Sequence, residues 1–69
     1  MVKLKIESNN GHDVVECNAL EAMQIIRQET QENGKWLLVD NAYKTYDSIN
    51  ISAIELANSV TLIKKLKGG

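Results

Sequence analysis

The chain of 69 residues carries a formal net charge of −1, and 43% of its residues are apolar and 25% charged. This length fits one small domain whose single core leaves no room for a deep catalytic cavity, and the balanced charge argues against a dedicated nucleic-acid binder. A lone cysteine excludes an intrachain disulfide, and no apolar run approaches the ~20 residues that cross a membrane. We therefore expect a cytoplasmic globular protein.

The first elements predicted are two strands that form a hairpin. Apolar and charged residues alternate over 1–7, which is typical of a strand with one buried face. Asn10-Gly11 is a strong signal for a hairpin turn. The strand after it, 12–17, is expected to turn Cys17 inward. We interpret this cysteine as a small buried apolar residue and not as a nucleophile or metal ligand.

A helix is predicted over 18–33. Asn18 is a suitable N-cap that accepts a hydrogen bond from the backbone N–H of Glu21. Apolar residues recur at helical spacing as far as Ile26, after which the sequence becomes polar. Gly34 supplies the left-handed residue that commonly ends a helix. One face of this helix should therefore be buried.

Four consecutive apolar residues, 36–39, predict a strand buried on both faces or a strand with one face used for binding. Alternation places two of the four on each face, and the helix covers only one face. Trp36 and Leu38 are accordingly predicted to form part of an exposed apolar patch suited to a partner. In the alternative, the segment carrying Ile49 or Ile51 folds over them.

The remaining elements are shorter. The sequence predicts a short edge strand at 43–46, a turn of helix at 52–56 and a closing strand at 60–65. Asn58 lies in the last turn, where asparagine can take a positive φ. A hairpin, a crossing helix and later strands predict a mixed sheet around one helix, with the last strand beside the first at its centre.

The closing strand is followed by Leu66-Lys67-Gly68-Gly69, and this ending resembles the C-terminus of ubiquitin. Leu66 matches a leucine, Lys67 replaces an arginine, and Gly68-Gly69 match the diglycine. Small relatives with this ending include the thiamine-pathway sulfur carrier and the small subunit of molybdopterin synthase. The resemblance implies an α+β fold of the β-grasp type, a mixed four- or five-stranded sheet packed on one helix. The domain would span 1–66, and 67–69 would be a flexible tail.

The resemblance also implies a function in which the chain is a substrate and not an enzyme. An ATP-dependent activating enzyme would adenylate the carboxylate of Gly69, for protein tagging or for sulfur transfer. Gly68 would keep the narrow channel of that enzyme passable. Leu66 and Lys67 would position the tail in the enzyme. The chain itself would need no cofactor and no metal.

Charge is unevenly distributed along the chain. Residues 41–69 carry four basic and two acidic groups, and three of those lysines lie within the last six residues. Lys64, Lys65 and Lys67 are therefore predicted to guide the tail to an acidic partner surface, although such lysines also protect an exposed strand from aggregation.

Two other functions agree with the same sequence. The chain can be a non-conjugating interaction module that binds a partner through the sheet, with the glycines incidental. It can also be a small subunit of a larger enzyme complex, with its tail inserted into a neighbouring active site.

Overall fold

The computed structural model describes residues 1–8 and 11–64. Within them the chain is α+β, with a mixed five-stranded sheet and one main helix. In chain order the elements are β1 (Val2–Ser8), β2 (Gly11–Cys17), α1 (Ala19–Gln31), β3 (Trp36–Val39), β4 (Ala42–Lys44), a 3₁₀ turn (Tyr46–Ser48), α2 (Ile51–Leu56) and β5 (Val60–Ile63).

The strands lie in the order β2-β1-β5-β3-β4. β1 and β2 form the predicted antiparallel hairpin, whose register runs from Val2↔Cys17 to Ser8↔Gly11. β5 lies between β1 and β3, parallel to β1 and antiparallel to β3. The prediction that the last strand lies beside the first at the centre of the sheet is therefore confirmed.

The core lies between the sheet and the helices. Alternation along β1 turns its apolar residues toward α1 and its lysines toward solvent, as the period of a strand requires. Among the described residues, the buried set contains no polar or charged side chain and consists of Val2, Leu4, Cys17, Ala22, Ile26, Leu37, Ile54, Val60 and Leu62. Aliphatic burial of this kind is the main source of the stability of a small domain.

Side-chain caps begin both helices. The Oδ1 atom of Asn18 accepts a hydrogen bond of 2.8 Å from the N–H of Glu21 at the start of α1, as predicted. Asn50 does the same for the N–H of Ala53 at the start of α2, the helical turn predicted at 52–56. α1 ends at Gln31, two residues before the predicted boundary, and Gly34 has the expected positive φ of 68°.

The hairpin between β3 and β4 turns through two residues of left-handed backbone. Asp40 has a φ of 52° and Asn41 a φ of 69°, and they are the non-glycine residues with positive φ in the described part of the chain. The prediction of a positive φ at Asn58 is therefore wrong. The carboxylate of Asp40 instead accepts hydrogen bonds from the N–H groups of Asn58 and Ser59, at 2.8 and 3.0 Å.

Two of the predicted strands are longer than those observed. β4 ends at Lys44 because Thr45 caps the 3₁₀ turn. The hydroxyl of Ser48 accepts from the Thr45 N–H at 3.1 Å and donates to the Thr45 carbonyl at 2.9 Å. β5 ends at Ile63, and Lys64 follows it as the last described residue.

Candidate functional site

The predicted reactive terminus and most of the predicted tail contacts, Lys65, Leu66, Lys67, Gly68 and Gly69, lie outside the described residues. Lys64 is described and exposed. Its backbone N–H donates a hydrogen bond of 3.0 Å to Oε1 of Glu7, at the far end of β1. The structure therefore describes the point at which the chain leaves the sheet, one residue before the segment with the ubiquitin-like ending.

The other two predicted partner contacts, Trp36 and Leu38, share the sheet face that points away from the core. Leu37, between them, is fully buried, and alternation along β3 places its neighbours on the opposite face. Both are half-buried. Strand register places Ile63 across from Trp36, and Tyr43 across from Leu38.

We call the set Trp36, Leu38, Tyr43 and Ile63 the outer patch. The rings of Trp36 and Tyr43 meet edge to face, with centroids 5.8 Å apart and planes at 74°, a geometry that aromatic pairs favour. Tyr43 is 59% exposed. The contribution of Tyr43 to this patch was missed at the level of sequence, because it depends on the register between β3 and β4.

The segment that carries Ile49 and Ile51 does not cover the outer patch. It packs on the opposite, core-facing side of the sheet. Ile49 and Tyr46 pack against the buried core, and α2 contacts α1. Ile54 of α2 is almost fully buried there, whereas Ile51 is 42% exposed. This segment therefore completes the core beside α1.

Charged residues border the outer patch along β1. Lys3 and Lys5 are exposed on the same strand face, and Lys5 pairs in register with Thr61, which in turn pairs with Leu38. Glu16 lies opposite Lys3 on β2. An apolar surface with a mixed charged border is the usual composition of a protein–protein interface.

A second surface feature is a cleft of about 310 Å³ between the end of α1 and the β3–β4 hairpin. The three aromatic residues of the chain, Trp36, Tyr43 and Tyr46, all line it, together with Lys44 and Asp47. Lys35, also in its wall, forms an ion pair with Glu29 of α1. The cleft is thus lined by both positively and negatively charged side chains, and its charge does not indicate a class of ligand.

The chain has one cysteine and one histidine, the residue types most often used as a nucleophile, a general base or a metal ligand. Cys17 is 6% exposed, and burial, together with the nearby Glu21 carboxylate, raises the pKa of its thiol above the ordinary value of 9.0. Such a thiol is a poor nucleophile at neutral pH. His12 is exposed on the edge strand β2. Within the described ranges 1–8 and 11–64, no cluster of three or more His, Cys, Asp or Glu residues is suited to a metal ion.

Neither α-helix in the described part of the chain has the length and apolar character needed to span a lipid bilayer.

Comparisons of this chain with protein-family models, with curated proteins and with solved structures found no match.

Proposed function

We propose that this chain is a β-grasp protein of the ubiquitin-like type and that it serves as a carrier or modifier. In this proposal an activating enzyme adenylates the carboxylate of Gly69. A carboxylate oxygen attacks the α-phosphorus of ATP, and the bond between the α- and β-phosphates breaks to release pyrophosphate. A thiol of a partner enzyme then attacks the acyl carbon and releases AMP, and the acyl group passes from this thioester to an amine. Alternatively, a sulfide-level sulfur donor attacks the acyl carbon and releases AMP, which leaves a terminal thiocarboxylate that donates sulfur.

The observation that carries the proposal is the position of β5. The last strand lies parallel to the first in the middle of the sheet, as the crossover rule predicted, and this arrangement is compatible with the β-grasp fold that the resemblance to ubiquitin implied. Lys64, the residue after β5, directly precedes the sequence Lys65-Leu66-Lys67-Gly68-Gly69. Topology and terminal sequence thus agree, although neither by itself defines a function.

The outer patch supplies the second part of the proposal. Trp36 and Leu38 lie on the strand next to β5, and Ile63 is the last residue of β5. An enzyme that takes in the tail would contact the sheet close to where the tail begins. We therefore assign body recognition to the outer patch and tail recognition to Lys64, Lys65, Leu66 and Lys67.

The test is the exchange of labelled pyrophosphate into ATP by an extract of the source cells to which the purified chain is added. Exchange should depend on the wild-type chain and disappear when Gly69 is deleted. The Gly68→Val variant should fold normally, with an unchanged urea midpoint, yet lose exchange, because a β-branched side chain blocks a narrow channel that glycine passes. Exchange at the wild-type rate with Gly68→Val would refute the assigned role of the tail.

Mass spectrometry of the protein from its own cells separates the two fates of the adenylate. Replacement of one terminal oxygen by sulfur indicates sulfur transfer, whereas a ladder of larger covalent conjugates indicates tagging. The same spectrum establishes whether Gly69 is the terminal residue in the cell, which the proposal requires.

A second candidate is a non-conjugating interaction module, which the outer patch favours because its geometry does not depend on the tail. In that case Leu38→Lys abolishes partner binding while deletion of Gly69 leaves binding intact. Under the carrier proposal both changes reduce pyrophosphate exchange. Val14→Lys is a matched control, because Val14 is also an exposed apolar residue of the same sheet face but lies on the edge strand β2, which β1 and β5 separate from β3.

A further inference from the structure

The parallel pairing of β1 and β5 brings the end of the first strand to the place where the chain leaves the sheet. The register between these strands ends at Ile6↔Leu62. Glu7 is the next residue of β1, and Lys64 lies two residues beyond Leu62. At this point a side chain of β1 contacts the backbone of Lys64.

That side chain is Glu7. Its Oε1 atom accepts a hydrogen bond of 3.0 Å from the backbone N–H of Lys64, 57 residues away in the sequence. A bond from a backbone N–H to a carboxylate is stronger than one between neutral groups. It fixes the peptide group between Ile63 and Lys64, at the end of β5.

The charges of the segment agree with this contact. Three lysines lie among the last six residues of the chain, so the carboxylate of Glu7 is a negative charge at the start of a basic segment. Glu16, the other glutamate on the outer face of the hairpin, lies on β2, and β1 separates it from β5. The two glutamates therefore differ in their access to Lys64.

We propose that Glu7 is a positioning residue for the C-terminal segment, an inference that rests on the proposed function. By fixing the peptide group between Ile63 and Lys64, its carboxylate would present the start of the C-terminal segment to an activating enzyme in one orientation. Loss of this preorganisation weakens productive binding and leaves the chemical step unchanged.

The first experiment measures the contact without any enzyme. Amide hydrogen exchange of Lys64, followed by NMR on the full chain, should become about fivefold faster in Glu7→Ala, because one hydrogen bond is lost. Glu7→Gln keeps an acceptor oxygen and should show a smaller change. Glu16→Ala removes an equal charge and should leave the Lys64 exchange rate as in the wild type. Equal exchange rates in wild type and Glu7→Ala would overturn the proposal.

The second experiment measures the consequence in the pyrophosphate-exchange assay. For Glu7→Ala, the chain concentration that gives half-maximal exchange should rise about threefold, since preorganisation is lost, while the maximal rate stays the same. Glu7→Gln should restore most of the loss, and Glu16→Ala should behave as wild type. Faster amide exchange in Glu7→Ala with an unchanged half-maximal concentration would overturn the positioning role.

The two readouts separate this inference from the proposed function. If the wild-type chain supports no pyrophosphate exchange, the carrier function is refuted, and the role of Glu7 in it falls as well. The amide exchange of Lys64 still reports on the hydrogen bond in that case. If wild type supports exchange and the Glu7 variants have the same half-maximal concentration as wild type and Glu16→Ala, the carrier function stands and the positioning role is refuted.

Discussion

The left-handed turn at Asp40 and Asn41 is expected to contribute measurably to the free energy of unfolding. Asp40 bridges two parts of the chain, since its carboxylate accepts from the N–H groups of Asn58 and Ser59. Its own N–H donates to the carbonyl of Ser59 at 2.9 Å. The residue therefore ties the β3–β4 hairpin to the start of β5, while its backbone holds a φ of 52°.

Replacement of Asp40 by alanine should remove both carboxylate hydrogen bonds and place a side chain that disfavours positive φ in the turn. The two bonds are solvent-exposed, and together we assign them about 1 kcal/mol. The left-handed conformation costs alanine about 1 kcal/mol more. Asp40→Ala should therefore lower the free energy of unfolding by about 2 kcal/mol, or roughly 8–16 °C in Tm for a domain of this size.

Two further variants separate these contributions. Asp40→Gly loses the hydrogen bonds but accepts positive φ, so we expect a loss of about 1 kcal/mol. Asp40→Asn keeps an acceptor oxygen and tolerates the turn, so its loss should stay below about 0.5 kcal/mol. Urea unfolding followed by the fluorescence of Trp36, the one tryptophan of the chain, measures all three. If Asp40→Gly is as stable as wild type, the carboxylate bridge contributes nothing and the reasoning fails.

Three other predictions concern the core and the helix cap. Asn18→Ala should cost about 1 kcal/mol in the same urea assay, because the N–H of Glu21 loses its side-chain acceptor; a change within error would show that solvent replaces the cap. Ile54→Val should cost about 0.5–1.5 kcal/mol because the site is fully buried, whereas Ile51→Val in the same helix should cost less, and equal losses would contradict the burial described. Because burial raises the pKa of the Cys17 thiol above 9.0, its contribution to stability is complete below the pKa of the unfolded thiol and is lost as the pH rises through the folded value. The stability difference between wild type and Cys17→Ala should therefore shrink as the pH rises above about 8.5, the pKa of an unperturbed thiol, and a constant difference would refute the shift.

Local signals in the sequence predicted much of the fold. Alternation along 1–7 gave the buried face of β1, and Asn18 marked the start of α1. Both depend on contacts within a few residues, where the physics of a strand face and of a helix cap is the same in most proteins. The central position of β5 followed from the rule for crossover connections.

Features that depend on contacts between residues far apart in the sequence could not be predicted from such local signals. Asp40 and Asn58 both belong to the residue types that tolerate positive φ. The choice between them was made by tertiary structure, because the carboxylate of Asp40 meets the N–H of Asn58 only after β3 and β5 have paired. The hydrogen bond from Lys64 to Glu7 is of the same kind. The outer patch was predicted for β3, but its extension to Tyr43 needed the register of β4.

The sheet's central strand is also its last strand to be synthesised. On a ribosome, β1 and β2 can form their hairpin early, but β3 and β4 have no neighbour to join them to it until β5 emerges from the exit tunnel. Long-range pairings of this type form late because they close large loops. The sheet can therefore be completed only when synthesis has reached the C-terminal segment. A nascent chain truncated before Val60 would expose two separate half-sheets, β1–β2 and β3–β4, to chaperones and proteases.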